Sequence, residues 1–249
     1  MRLERDGKVA RLTLTRPDLL NAMNFQGTLD FNRAIEAVRD DPEARLLVIR
    51  GEGRAFCTGI DLKELSAGQT PQAYFEQWDR ALRTMETMER FVLCVMHGYA
   101  LGGGLQIALA SDIRIATTDC AIGLPAISES IIPGLSTFRL PRYVGWGRAR
   151  WFILSGENVD GRAAHDMGLV DHLVEPDALD AEVEARIARY LETCSEGARQ
   201  SKVLLSLQAD LSQPQFFEEY LRRQQICTAS PDHAEAREAY REGRPPRWS

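Results

Sequence analysis

Paired cysteine is missing from this chain. Cys57, Cys94, Cys120, Cys194 and Cys227 are odd in number and far apart, with no CxxC and no histidine four or five positions away. Neither a disulfide framework nor a zinc site is expected, and a reducing cytoplasm is the setting that fits. Positive charge is scarce too. Thirty Lys and Arg against 36 Asp and Glu leave a net charge of −6, with no basic cluster to neutralise phosphates, so no nucleic-acid partner is expected. Long hydrophobic runs are absent: the Phe91 to Met96 stretch is far short of the roughly 20 residues of a membrane helix, and Met1-Arg2-Leu3-Glu4-Arg5-Asp6-Gly7 is too charged for a signal peptide. A soluble, cytoplasmic protein without a membrane partner is the expectation. Internal repeats and low-complexity linkers are also missing. What remains is 249 residues, 44% of them hydrophobic, enough for one large α/β domain or one domain with a small appendage.

Three segments read as strands. Ala10, Leu12 and Leu14 alternate with polar residues, whereas Leu46 to Ile49 and Phe91 to Met96 are continuous apolar runs, the pattern of strands buried on both faces. Between them lie helical stripes, one of Phe31, Ala34, Ile35 and Val38, another of Phe75, Trp78, Leu82 and Met85. Strands alternating with helices predict a layered α/β fold. After about Pro176 only helical spacing remains, in Leu179, Val183, Ile187 and Tyr190, then Val203, Leu204, Leu207 and Leu211, then Phe217, Tyr220 and Leu221. Such a tail docks either on the chain's own core or on a neighbouring subunit.

Two glycine turns carry the chemistry. Gly98-Tyr-Ala-Leu-Gly-Gly-Gly104 follows an apolar strand and opens a helical pattern, and Gly51-Glu-Gly-Arg-Ala-Phe-Cys-Thr-Gly-Ile-Asp61 follows another. Glycines let a ligand approach the backbone, and the amides that start a helix are unpaired. The Gly98 to Gly104 turn matches no nucleotide-phosphate motif, since no Lys or Ser follows its glycines. Two such turns at the ends of two buried strands would aim two backbone N–H groups at one oxygen and stabilise an oxyanion.

The pair Arg54-Ala-Phe-Cys-Thr-Gly-Ile-Asp-Leu-Lys-Glu-Leu65 and Gly98-Tyr-Ala-Leu-Gly-Gly-Gly104 resembles the two oxyanion motifs of the crotonase (enoyl-CoA hydratase/isomerase) superfamily. Arg16-Pro17 with Asn21-Ala22-Met23-Asn24, Ile132-Pro133-Gly134, Ser155-Gly156 with Gly168-Leu169-Val170, and the ending Arg244-Pro-Pro-Arg-Trp248 match in order and spacing, so the resemblance covers nearly the whole chain. It implies a spiral of ββα units over residues 1–195, with a C-terminal helical trimerisation region at 196–249. It implies acyl-CoA substrates, a homotrimer or dimer of trimers, no metal, and no cofactor besides the coenzyme A of the substrate. The implied oxyanion donors are the amides of Ile60 and Gly103. The implied substrate contacts are Ala22, Thr58, Gly59, Ile60, Asp61, Leu62, Leu101, Gly102, Gly103, Pro125, Ala126 and Glu129, with the Thr58 to Asp61 stretch near the adenine.

The family's hydratases hold and deprotonate water with two glutamates, and here those positions are Gln106 and Ala126. Neither can take a proton near neutrality, so the two-carboxylate hydration machinery is absent. Glu129, three residues past Ala126, reads either as a relocated acid/base or as an ordinary solvated or salt-bridged glutamate. His97 fits the strand better than a general base, Asp61 and Asp112 fit framework positions bonding turn amides, and Cys57 has no histidine partner to make it a nucleophile. Arg16 and Arg54 are candidate phosphate cations or plain surface arginines, while Leu19 stands where many relatives carry a lysine. By the same resemblance Tyr74 and Trp78 fall where the family has a wall of the acyl pocket, although their spacing makes core packing the safer reading. An enolate-stabilising lyase or isomerase is therefore expected. The alternatives are a thioester hydrolase using the same hole, or a catalytically reduced acyl-CoA-binding homo-oligomer.

Overall fold

The computed structural model describes residues 1–248, and Ser249, the end of the expected C-terminal region, lies outside them. The chain opens with β1 (Arg2–Asp6) and β2 (Val9–Leu14), then α1 (Phe25–Asp40) and β3 (Leu46–Gly51). The short α2 (Leu62–Ser66) and long α3 (Gln72–Thr87) lead to β4 (Phe91–Met96), β5 (Tyr99–Leu101) and α4 (Gly103–Leu109). Next come β6 (Ile113–Thr117), β7 (Ala121–Gly123), α5 (Ser136–Ser155), α6 (Gly161–Asp166) and β8 (His172–Val174). Four helices close the chain: α7 (Leu179–Leu191), α8 (Glu196–Leu207), α9 (Gln213–Ala229) and α10 (Pro231–Glu242).

The main sheet has the order β1-β2-β3-β4-β6-β8, antiparallel between β1 and β2 and parallel elsewhere. The charged strand β1 is exposed along its length and forms an edge, where charge blocks pairing with a further strand. The two apolar runs occupy the middle as β3 and β4. In β3 the period of two sorts Leu47 and Ile49 into the larger core and Leu46 and Val48 into a second cluster, which Leu179, Val183 and Ile187 of α7 close from the opposite face.

A smaller sheet runs beside the first. It is made of β5 and β7 and extended by single bridges Cys57 to Ala100, Met23 to Ile60 and Ile122 to Val159. Each turn of the chain thus lays one segment in the main sheet, a second in the small one, and then a helix. This is the ββα spiral that the resemblance implied.

Asn24 caps α1 by accepting from the Gly27 amide, and the helix buries Phe31, Ile35 and Val38 as its stripe predicts. It packs on α3, with the Phe31 and Trp78 ring centroids 5.3 Å apart. Emptying the site of a buried phenylalanine such as Phe31 costs about 3–5 kcal/mol in proteins generally. The stripe expected on α3 needs one correction. Tyr74, Trp78, Ala81, Leu82 and Met85 face the core, and Phe75 is exposed. One residue is about 100° of helix, which is enough to move Phe75 off the buried face.

Beyond residue 196, α8 docks on α3 through Val203 and Lys202. The Lys202 ammonium is 2.8 Å from Asp112 Oδ2, donates to Met85 O at 2.8 Å, and donates to Arg90 O. Burial lowers its pKa against the pull of Asp112, and burial raises that of Asp112 against the pull of Lys202. In contrast α9 buries no residue, and Phe217, Tyr220 and Leu221 are exposed. No described helix is long and apolar enough to cross a membrane.

Candidate active site

The first glycine turn is held by the second layer. Met23 N donates to Gly59 O at 2.7 Å, and Asp61 N donates to Met23 O at 2.9 Å. Alternate amides of an extended segment point opposite ways, so these two bonds turn the intervening Ile60 N–H away from Met23. Asp61 then caps α2, its Oδ1 accepting from Lys63 N at 3.1 Å, while Oδ2 takes the Arg16 guanidinium at 3.0 Å. Arg16 also donates to Ala22 O at 2.6 Å.

The second turn is locked to the first. Cys57 N donates to Tyr99 O at 3.0 Å and Leu101 N to Cys57 O at 2.9 Å. Gly59, at φ 89°, lies so close that a Cβ on it would stand 2.6 Å from Gly103 N. Gly104 rests on the Cys57 carbonyl, where a side chain would collide. Gly103 opens α4, so its N–H has no partner within the helix. Among the described residues neither the Ile60 nor the Gly103 amide donates a hydrogen bond.

Both turns face a cavity of about 1050 Å³. Every implied contact residue lines it except Gly59, which supports Gly103 from behind. The remaining wall is made by α3 and by the turns at Pro125–Glu129 and Ile131–Leu135. Gln106 is buried, and its Oε1 accepts from Trp78 Nε1 at 3.0 Å. Gly134 lies against the same amide, and a Cβ there would sit 2.6 Å from Oε1, which accounts for the glycine of Ile132-Pro133-Gly134. Ala126 and Glu129 are three apart on a 3₁₀ turn, so both look into the cavity.

Four carboxylates line the cavity. Asp61 is bound by Arg16, Asp79 pairs with Arg139 at 3.0 Å, and Glu76 accepts from Gln72 at 2.9 Å. Glu129 alone has no hydrogen bond or ion pair among the described residues.

Several side readings are resolved. Cys57 is fully buried with its thiol pushed up to about 12 by burial, so it stays protonated and is no nucleophile. His97 Nε2 lies 3.0 Å from Gly53 O and borders a different hollow, away from Gly103. Asp112 accepts from Val92 N at 2.7 Å, a framework role. Arg54 borders the His97 hollow, and Arg16 is engaged with Asp61. Tyr74 and Trp78 are both core and wall: each is buried, and each lines the cavity. Lys63, Phe75, Glu76 and Asp79 also line it and were missed. Lys63 lies inside the first motif and was open to notice there. The α3 residues carried no signal beyond helical spacing.

Strand–strand–helix units whose glycine turns meet at one cavity make this a crotonase-like α/β protein. The family model described as Enoyl-CoA hydratase/isomerase matches residues 4–249. The chain is 33% identical to the Crotonyl-CoA hydratase of Syntrophomonas wolfei over 97% of its length and 95% of that protein's. It is 30% identical to the Short-chain-enoyl-CoA hydratase of Clostridium acetobutylicum, over 97% and 94%. Its fold superposes on the crystal structure of Enoyl-CoA Hydratase from Bacillus anthracis with a TM-score of 0.90 and 26% identity, over 99% of this chain and 98% of that one. The chain belongs to the enoyl-CoA hydratase/isomerase family.

Proposed function

We propose that the protein is an acyl-CoA enzyme that holds the thioester oxygen between the amides of Ile60 and Gly103 and moves a single proton with Glu129. The observation that carries this reading is the combination of two unpaired amides and one unpaired carboxylate at the same cavity. A thioester oxygen gains negative charge as the adjacent carbon loses a proton, and two fixed donors stabilise that enolate more than the starting ester. Each such donor typically contributes about 3–4 kcal/mol to the transition state. Glu129 takes the proton and returns it, on the same carbon or further along the chain. Gln106 and Ala126 offer no base for water, so isomerase or lyase chemistry through the enolate is favoured over rapid hydration. Lys63 at the rim is the cation available to a CoA phosphate.

The exposed side chains Phe217, Tyr220 and Leu221 on α9, with Trp146, Trp151 and Leu154 on α5, support a homotrimer or dimer of trimers. A cytoplasmic setting fits the unpaired cysteines.

A structure with an unreactive acyl-CoA bound is the direct test. The thioester oxygen is expected within hydrogen-bond distance of Ile60 N and Gly103 N, and an oxygen lying away from both overturns the reading. In solution, enoyl-CoA esters are expected to show double-bond migration, and release of free CoA would point to the hydrolase instead.

A further inference from the structure

Where the family's hydratases have a carboxylate, Gln106 presents an amide, and its orientation is settled by its neighbour. An indole N–H is a donor only, so the amide atom 3.0 Å from Trp78 Nε1 is the oxygen, and Nε2 is turned elsewhere. Trp78 is itself buried between Phe31, at a centroid distance of 5.3 Å, and Tyr74, at 6.5 Å. The indole cannot swing away without breaking that packing. Gly134 closes on the amide from the other side. Nε2 has no acceptor among the described residues, and Gln106 lines the cavity. Its donor is open to the cavity, where a ligand oxygen can accept from it in place of water.

Gln106 is one helical turn past Gly103, about 4.5 Å along the axis at 1.5 Å per residue. Helix side chains three apart share a face and lean toward the N-terminus, so an acceptor at the Gln106 amide is a near neighbour along the acyl chain of a thioester carbon held at Gly103. Across the gap Ala126 offers no competing polar group. With Asp61 and Asp79 paired to Arg16 and Arg139, Glu76 and Glu129 against Lys63 still leave the lining net negative, which disfavours an anionic acyl group and favours a neutral carbonyl.

We infer that the Gln106 amide, oriented by Trp78, is a specificity-determining donor that selects acyl-CoA thioesters with an oxygen on the third carbon, the 3-oxoacyl thioesters. The inference rests on the acyl-CoA reading of the cavity and deepens it. The chemistry is consistent with a lone base. When the Glu129 carboxylate takes a proton from the second carbon, the C–H pair spreads onto the thioester oxygen at Ile60 and Gly103 and onto the 3-oxo oxygen at Gln106. The proton then sits on Glu129, and its return to carbon restores the starting charges. A carbon flanked by two carbonyls gives up its proton far more readily than one beside a single thioester, so one carboxylate suffices.

Calorimetric titration of butyryl-CoA and 3-oxobutyryl-CoA into the native protein, Gln106→Met and Gln106→Glu separates the possibilities. The native protein is expected to bind the 3-oxo ester roughly tenfold tighter or more, the scale of a hydrogen bond of about 1.4 kcal/mol. Gln106→Met should erase that preference. Gln106→Glu keeps an acceptor for Trp78, so its folding is safeguarded, and should reverse the preference by setting a carboxylate against the carbonyl. Enolate absorbance of bound 3-oxobutyryl-CoA should weaken in both variants. Equal affinity for the two esters in the native protein, or a preference that survives both substitutions, overturns the inference while the acyl-CoA site stands. Failure of the native protein to bind either ester overturns the acyl-CoA reading itself.

Discussion

The cavity has two walls built on different principles. One is backbone: Ile60 and Gly103 sit on turns tied together mainly by main-chain hydrogen bonds of Cys57, Tyr99, Leu101 and Met23. The other is made of side chains on α3, on α4 and on the Pro125–Glu129 turn. The backbone wall has no freedom to drift, because Gly59 and Gly104 each leave no room for a Cβ. On the side-chain wall, by contrast, the neutral Gln106 and Ala126 line the cavity beside the carboxylate of Glu129. The backbone wall is thus insensitive to side-chain identity, while the chemistry of the other wall varies with each residue that forms it.

The largest expected effect comes from breaking the backbone wall. Gly103→Pro removes one donor at the first position of α4, where proline is compatible with a helix, but its Cβ would stand 3.1 Å from Gly59 Cα and 3.2 Å from Trp78, so folding is measured alongside. Turnover should fall about 10²- to 10³-fold. A circular dichroism spectrum that matches the native protein, with turnover intact, would mean that the Gly103 amide does not serve the reaction.

On the other wall, Glu129→Gln keeps size and removes proton transfer. Turnover should fall about 10²-fold with ester affinity nearly unchanged, a split read from kcat and KM. An unaltered kcat would remove Glu129 from the reaction and leave the two glycine turns as the proposed catalytic feature.

The comparison is sharpened by restoring the exchanged acids. Gln106→Glu with Ala126→Glu should raise crotonyl-CoA hydration by roughly tenfold or more, within the range of acid/base assistance. No gain would show that the cavity has changed shape along with its charges.

The smallest effect is expected where a side chain braces the backbone wall. Arg16 is one-third exposed and links Asp61 to Ala22. Arg16→Ala should raise KM only about two- to fivefold, because a solvent-screened pair contributes at most about 1 kcal/mol.

Much of this molecule was open to reading along the chain. The apolar runs of β3 and β4 announce burial on both faces through composition alone, and the stripe of α1 announces its core face through a period of 3.6 residues. Those are local signals, carried by neighbours in sequence. Phe75 shows their limit: it is as hydrophobic as Tyr74, and only the angle at which α3 meets α1 decides which of the two is covered.

The sequence by itself determined the family, the two glycine turns and the presence of Gln106, Ala126 and Glu129 close after them, because these depend on residue type and short spacing. Only the tertiary structure decided which candidates share a cavity. It sent Arg54 and His97 to another hollow, engaged Arg16 with Asp61, brought Asp79 and Lys63 to the rim and turned the Gln106 amide with an indole 28 positions away. The physical reason is that a hydrogen bond or a cavity wall joins atoms whose separation along the chain leaves no periodic trace, and whose approach is set by the packing of whole elements.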